Sequence, residues 1–333
     1  MKKSNLFKVF LGFTLLAFTS CDDDDMMDMD KHGATLFVTS NATGDINTYA
    51  FKEDGGVEMN RFTTLSTGNE GIHYDEASDD LIVASRSALQ VNVYGGVSNV
   101  LMNPSLSLDL GGSGAADLMN PRAMAVNGNT MVIADNQQNQ FFVYTKSGNS
   151  LTLKNTFDID FAVWGIEFIG DDLFAVVDKT ADLAVFNNFS SNTSDGMLQA
   201  SKKVTIEGIE RTHGLAYDRM KDMMVMTDIG DAENTEDDGG FHLIENFSST
   251  FNNTSDGGTI GMAAQIRVAG AATMMGNPID VAYDSESGTV YIAEIGNGGG
   301  RVLAFSNYEN GGNVSPSWNV ALGGASSLYL ATD

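Results

Sequence analysis

PIDVAYD-SESG-TVYIAEI-GNGGG-RVLAFSNY, Pro278 to Tyr308, reads as three short strands split by two turns. Apolar and β-branched residues fill each run, and Gly, Ser and Asp clusters bound it, the pattern of successive hairpins. Degraded copies recur along the chain: GIHYDEASDDLIVASRSALQVNVYG from Gly71, PRAMAVNGNTMVIADNQQNQFFVYTK from Pro121, WGIEFIGDDLFAVVDKTADLAVFNNF from Trp164, and HGLAYDRMKDMMVMTD from His213, followed after an insert by FHLIENF. With Gly71, Ala123, Gly165, Gly214, Asp280 and Ser327 aligned, the intervals by subtraction are 52, 42, 49, 66 and 47 residues.

Periods of roughly 40 to 50 residues built only of strands and turns predict an all-β propeller of four-stranded antiparallel blades. The chain ends in SSLYLATD, which reads as a first strand with nothing after it, and the folded part begins with ATLFVTS-NATG-DINTYAF, which reads as second and third strands with nothing before them. Joined, they complete a sixth blade and close the ring, leaving no long sheet edge open to aggregation. Two separate sandwiches are the alternative. Four prolines and 36 glycines suit tight turns, and the 17 methionines suit irregular gaps between blades.

The expected domains are a signal segment over 1–20, a tether over 21–33 and the propeller over 34–333. Lys2, Lys3 and Lys8 precede an apolar run too short to cross a bilayer. It ends FTSC at Cys21, the one cysteine in the protein. A lone cysteine leaves no second thiol for a disulfide within the chain. Asp22 to Asp25 follow, within a twelve-step tether that spans at most about 40 Å. The formal charge is −26, and removing three leader lysines takes it to −29. Such a surface excludes nucleic acid as a partner.

In a propeller the start of each first strand opens on the central channel. Those positions hold Glu70, Arg122, Trp164, His213, Ile279 and Ser326, and the next hold Gly71, Ala123, Gly165, Gly214, Asp280 and Ser327. Glu70, Arg122, Trp164, His213 and Asp280 are therefore candidates for one ligand site at the channel mouth. A wet mouth with Arg122 neutralising Glu70 or Asp280 is the plainer reading. His213 has no serine or cysteine partner that would make it a catalytic base. Asp135, Asp178, Asp228 and Glu294 end second strands, where carboxylates accept turn N–H groups or, alternatively, bind metal. Asp231, Glu233, Glu236, Asp237 and Asp238 crowd the insert Ile229 to His242, which lacks the EF-hand pattern and reads as an acidic loop or a calcium site.

The lone cysteine after FTS resembles a bacterial lipoprotein signal, and the acidic run after it resembles the surface-export signal of Bacteroidota-type lipoproteins. These resemblances imply a lipid anchor at Cys21 on the outer membrane, facing the exterior. The cassette resembles NHL-type and gluconolactonase-like six-bladed propellers over Ala34 to Asp333. The lactonase resemblance implies one calcium at the channel, held through Glu70, Asn120, Asn277 and Asp280, although Arg122, Trp164 and His213 stand where further oxygen ligands are wanted. The NHL resemblance implies an interaction platform. The expectation is a surface-anchored binding or scaffold module for an outer-membrane protein or extracellular ligand. Alternatives are a calcium-dependent lactonase or esterase and a carbohydrate-binding partner of an uptake system; the latter needs an exposed aromatic platform, whereas Trp318 reads as packing.

Overall fold

The computed structural model describes residues 33–332 except 53 and 104–106. The ring lies within the unit His32–Asp333; the leader, Cys21 and the acidic run lie outside the described residues. Six sheets arise because each apolar run is too short for more than one strand and each Gly/Asp/Ser cluster turns it back. Blade 2 orders Asn69–Asp75, Asp80–Ser85, Gln90–Gly95 and Asp109–Ser113 from the channel outwards. Blade 6 repeats this with Pro278–Asp284, Thr289–Glu294, Arg301–Phe305 and Trp318–Ala321. The inner strands of blades 3, 4 and 5 are Pro121–Asn127, Val163–Ile169 and Leu215–Asp218.

Blade 1 takes its inner strand, Ala325–Ala331, from the end of the chain and its others, Thr35–Ser40, Ile46–Phe51 and Val57–Phe62, from the beginning. Thr35 pairs with Ala331 and Ser40 with Ala325. The Thr39 and Ser326 hydroxyls meet at 2.7 Å, and the Ser327 N–H donates to Thr39 Oγ1 at 2.9 Å. The protein is thus a closed six-bladed propeller.

Six apolar clusters fill the six seams between neighbouring blades. Phe141 of blade 3 and Phe186 of blade 4 are both fully buried and meet edge to face with centroids 5.2 Å apart. Burying a side chain of this size contributes about 1.5–3 kcal/mol. Met224 and Met226 sit fully buried in the seam between blades 4 and 5, the gap-filling use expected of them. Trp318 meets Tyr49 and Phe51 edge to face at 5.2 Å each, as packing.

Blades 3 and 4 carry a fifth strand that the four-stranded repeat does not predict. Gly196–Met197 pairs in parallel with Ser150–Asp158 of blade 3, and Thr259–Ile260 with Lys202–Ile206 of blade 4. Both come from the related segments NFSSNTSDG and NFSSTFNNTSDG. Each begins on a left-handed asparagine, Asn188 or Asn246, and buries the next phenylalanine. Asp195 Oδ1 then accepts the Thr156 N–H at 3.0 Å, and Asp256 Oδ1 the Lys203 N–H at 2.9 Å. The segment leaving one blade so staples it to the blade before. Helix is scarce among the described residues, the longest being Phe247–Asn253.

Candidate functional site

Register explains how the inner strands aim their first residues. In blade 2, Asn69 pairs with Ser85 and Ile72 with Val83, so three steps on one strand meet two on its partner. The same one-residue bulge falls at Pro121/Ala123, Val163/Ile166, Pro278/Asp280 and Ala325/Leu328. Bulges bend a strand and re-aim a side chain. Here they hold Glu70, Arg122 and Trp164; Gly71 accommodates its bulge with a φ of +74°. In blade 5, His213 stands just before the inner strand, and Gly165 N–H donates to its carbonyl at 2.9 Å. A Cβ on Gly165 would lie 2.4 Å from that oxygen, so only glycine permits the approach.

These residues form a row across one end of the channel. Glu70 is buried and accepts from Arg86 Nη1 at 2.8 Å, Arg122 Nη1 at 2.9 and 3.1 Å, and Asn41 Nδ2 at 3.0 Å. The Arg122 guanidinium carbon lies 3.9 Å over the Trp164 ring. Trp164 stacks in turn on His213, with centroids 3.6 Å apart and planes 8° from parallel. A cation over indole contributes about 0.5–2 kcal/mol, more as water is excluded. His213 Nε2 lies 3.3 Å from Asp178 Oδ1, which also accepts from Arg211 Nε and Nη2 at 3.1 and 2.8 Å. Asn136 Nδ2 holds the other oxygen at 3.1 Å. Two ion-pair clusters therefore clamp a guanidinium–indole–imidazole stack between them.

Burial lowers the His213 pKa to about 4, with the Arg211 and Arg122 charges in support and Asp178 opposing, so the ring is neutral at pH 7. Burial pushes Asp178 up, but the close approach of the His213 ring, the Asn136 hydrogen bond and the Arg211 charge outweigh it and hold the carboxyl well below the usual range. With His213 neutral, Arg86 and Arg122 pair with Glu70, and Arg211 pairs with Asp178. Among the described residues, Arg122 Nε and both His213 ring nitrogens are buried without a hydrogen bond of good geometry.

The structure thus brings Glu70, Arg122, Trp164 and His213 together. Asp280 sits one residue deeper, beneath the row. Its carboxylate accepts the Leu328 and Val281 N–H groups at 2.8 and 2.9 Å. Burial first, and then the Glu70 charge, raise its pKa to about 7. Of the candidate calcium ligands, Glu70 has both oxygens taken by guanidinium groups. The backbone N–H groups of Asn120 and Asn277 donate to Asp135 and Glu294 at 2.9 Å, while Asn277 Oδ1 is buried without a hydrogen bond among the described residues. No group of three or more His, Cys, Asp or Glu suited to a metal occurs among the described residues. The acidic insert ties itself together instead: Asp238 accepts the Asp231 N–H at 2.8 Å, and Asp231 the Glu233 N–H at 3.0 Å.

Sequence reasoning missed Arg86, Arg211 and the role of Asp178. Three of the four strand-end carboxylates accept backbone N–H groups. Asp135 takes four, Glu294 takes those of Gly276, Asn277, Gly296 and Asn297, and Asp228 those of Glu210, Arg211 and Gly230. Asp178 alone turns to side chains. A signal existed in Arg211, two residues before His213, and in Arg86, next after the strand end Ser85.

Solved structures with the same chain path include a chain of the nidogen–laminin complex (TM-score 0.61, 12% identity, 90% of this chain and 98% of that one). Candidate 6-phosphogluconolactonases from Bacteroides uniformis (0.61, 8%, 90% and 100%) and Bacteroides fragilis (0.54, 11%, 90% and 84%) are also similar. No protein-family model matches the sequence, and no curated protein matches it. At such identities the likeness shows the fold. It assigns no activity to this chain.

Proposed function

We propose that the protein is a binding module that seats a partner over the arginine-lined mouth of the channel. The observation that carries this reading is the engagement of Glu70 by Arg86 and Arg122. It turns the place where a lactonase-like site wants a metal ligand into a rigid floor of paired arginines. Arg86 and Arg211 keep 36% and 23% of their side chains exposed above it, so N–H donors are available to a carboxylate presented from outside. Tryptophan and arginine at one spot are the residue types that dominate binding energy at interfaces. A lactone- or ester-hydrolysing activity is the second reading, favoured by the two lactonase-like neighbours and the same arginines, which suit an anionic sugar.

The lipid-anchor reading belongs to the same proposal: acylated Cys21 would hold the module on the outer face of the outer membrane, a short tether away from an outer-membrane or extracellular protein partner. Cys21→Ser should then move the protein from the membrane to the soluble fraction and remove labelling by palmitate; a variant that stays membrane-bound contradicts the anchor. For the mouth, Arg86→Ala should lower recovery of a cross-linked partner at least tenfold while the melting temperature stays within a few degrees. Lys154→Ala, on an exposed outer strand, serves as control. Equal recovery from both variants would dismiss this face as the docking surface.

A further inference from the structure

Beneath the plug, the channel widens into a cavity of about 260 Å³ that reaches from Gly71 and Asp280 down to Ser285 and Thr332. Its wall is made by the inner strands of all six blades, from which Glu167, Ala216, Ala282 and Tyr329 stand at one level, three residues beyond the channel-mouth positions of their blades. Small residues in two of these blades leave room, and one blade puts a carboxylate into it. The part-buried side chain of Glu167 makes no hydrogen bond or ion pair with any described residue. Asp280 lies close enough for its charge to act on Glu167. Tyr217, Tyr283 and Tyr329 line the same cavity. The hydroxyls of Tyr217 and Tyr283 are engaged elsewhere, by Asp222 at 2.9 Å and Tyr308 at 3.1 Å, so these two tyrosines offer the cavity their ring surfaces.

We infer that this cavity is a binding site for a small primary-amine ligand, whose ammonium group sits between Glu167 and Asp280 against the tyrosine rings. An unpartnered carboxylate in a half-open cavity calls for a cation with hydrogen-bond donors, and an ammonium supplies three. Aromatic faces attract the same charge. Calcium fits worse, since it requires six to eight oxygens and no third acidic side chain joins the pair within metal-binding reach among the described residues. The volume falls just below the usual range for drug-sized ligands, about 300–1,000 Å³, which limits the ligand to a few heavy atoms beyond the amine. Asp218 lines the same cavity towards its open end and would draw cations in.

The titratable groups that line the cavity with Glu167 are Asp280, Asp218, Tyr217, Tyr283 and Tyr329, with Glu70 above Asp280. Both carboxyls are held towards the protonated form, so amine binding should release protons and tighten as pH rises from 6 to 8. The test uses the full folded chain and n-butylamine as probe, with n-butanol as the neutral isostere and calcium chloride as the metal arm, read by calorimetry and thermal shift at pH 8. Expected is saturable binding of butylamine and none of butanol, weakened at least tenfold in both Glu167→Gln and Asp280→Asn and unchanged in Asp231→Asn. No saturable amine binding, or binding equal in all three variants, overturns the site. So does a shift produced by calcium but not by amine and lost in the two channel variants, which would make it a metal site. Glu167→Gln keeps shape and removes charge, so a folded variant is expected.

Discussion

Glu70→Ala should destabilise the ring by about 3 kcal/mol, the low end of what removing one partner of a buried ion pair costs. The loss follows from what remains. Arg122 is only 13% exposed and would lie beneath the surface with its countercharge gone, whereas Arg86, 36% exposed, can turn to water. The converse change separates the two contributions. Arg86→Ala removes a half-exposed contact and should cost less than about 1 kcal/mol, while Arg122→Ala removes the cation from the indole face as well as from Glu70. Urea unfolding of the three variants measures this directly. If Glu70→Ala loses less than about 1 kcal/mol, the plug is not the clamp described above. A loss shared equally by Arg86→Ala would mean that the rim, rather than the stack, holds the mouth together.

The second large effect is on pH dependence. Burial pushes Glu167 up to about 8 with help from the Asp280 charge, and Asp280 up to about 7. The folded protein therefore keeps protons on this pair that the unfolded chain gives up near pH 4. Stability must fall as pH rises through that interval and level off above about pH 8. Histidines act in the opposite sense lower down. His73 and His213 are both lowered to about 4 by burial, so folding is favoured as pH rises towards the ordinary histidine range. The clean window is pH 7.5 to 8.5, where the unfolded histidines too have lost their protons. There the wild type should lose stability on the order of 1 kcal/mol. Glu167→Gln should flatten most of the decline and be the more stable protein at pH 8. A wild-type melting temperature constant across that window would show the pair to be ionised and solvated. The two protons belong to the pair rather than to either residue, so Asp280→Asn should flatten the same curve.

The blades, their number and the closing strand could all be read from the cassette, because five of the six inner strands open on a small residue after a variable one, with Asp280 the exception. The same alignment picked out Glu70, Arg122, Trp164 and His213, which do form one row. What it could not show was the bulge that re-aims them, since an extra residue is visible only against a partner strand. Nor could it show that Arg122 settles on Glu70 and Trp164 at once, which denies Glu70 to a metal. Asp178 looked like its three relatives because its sequence context is theirs; only the third dimension brings Arg211 and Asn136 to it. Glu167 was overlooked although it stands alone among Ala125, Ala216 and Ala282 at the equivalent level. The two-residue staple strands Gly196–Met197 and Thr259–Ile260 are too short to carry any period.

The join between Thr39 and Ser326 spans 287 residues, and this sets a timetable for the molecule. Until Ala325–Ala331 emerges from the ribosome, and from any export channel, blade 1 lacks its innermost strand and Thr35–Ser40 offers a bare edge to any neighbouring chain. Blades 2 to 6 can form in the order of synthesis, each stapled or packed onto the one before, while the first waits for that strand. The newborn chain is thus at its most vulnerable just before closure, and its safety depends on how quickly about seven residues find a partner made long before them. Any delay in delivering Ala325–Ala331 would prolong that interval and favour pairing between chains over closure within one.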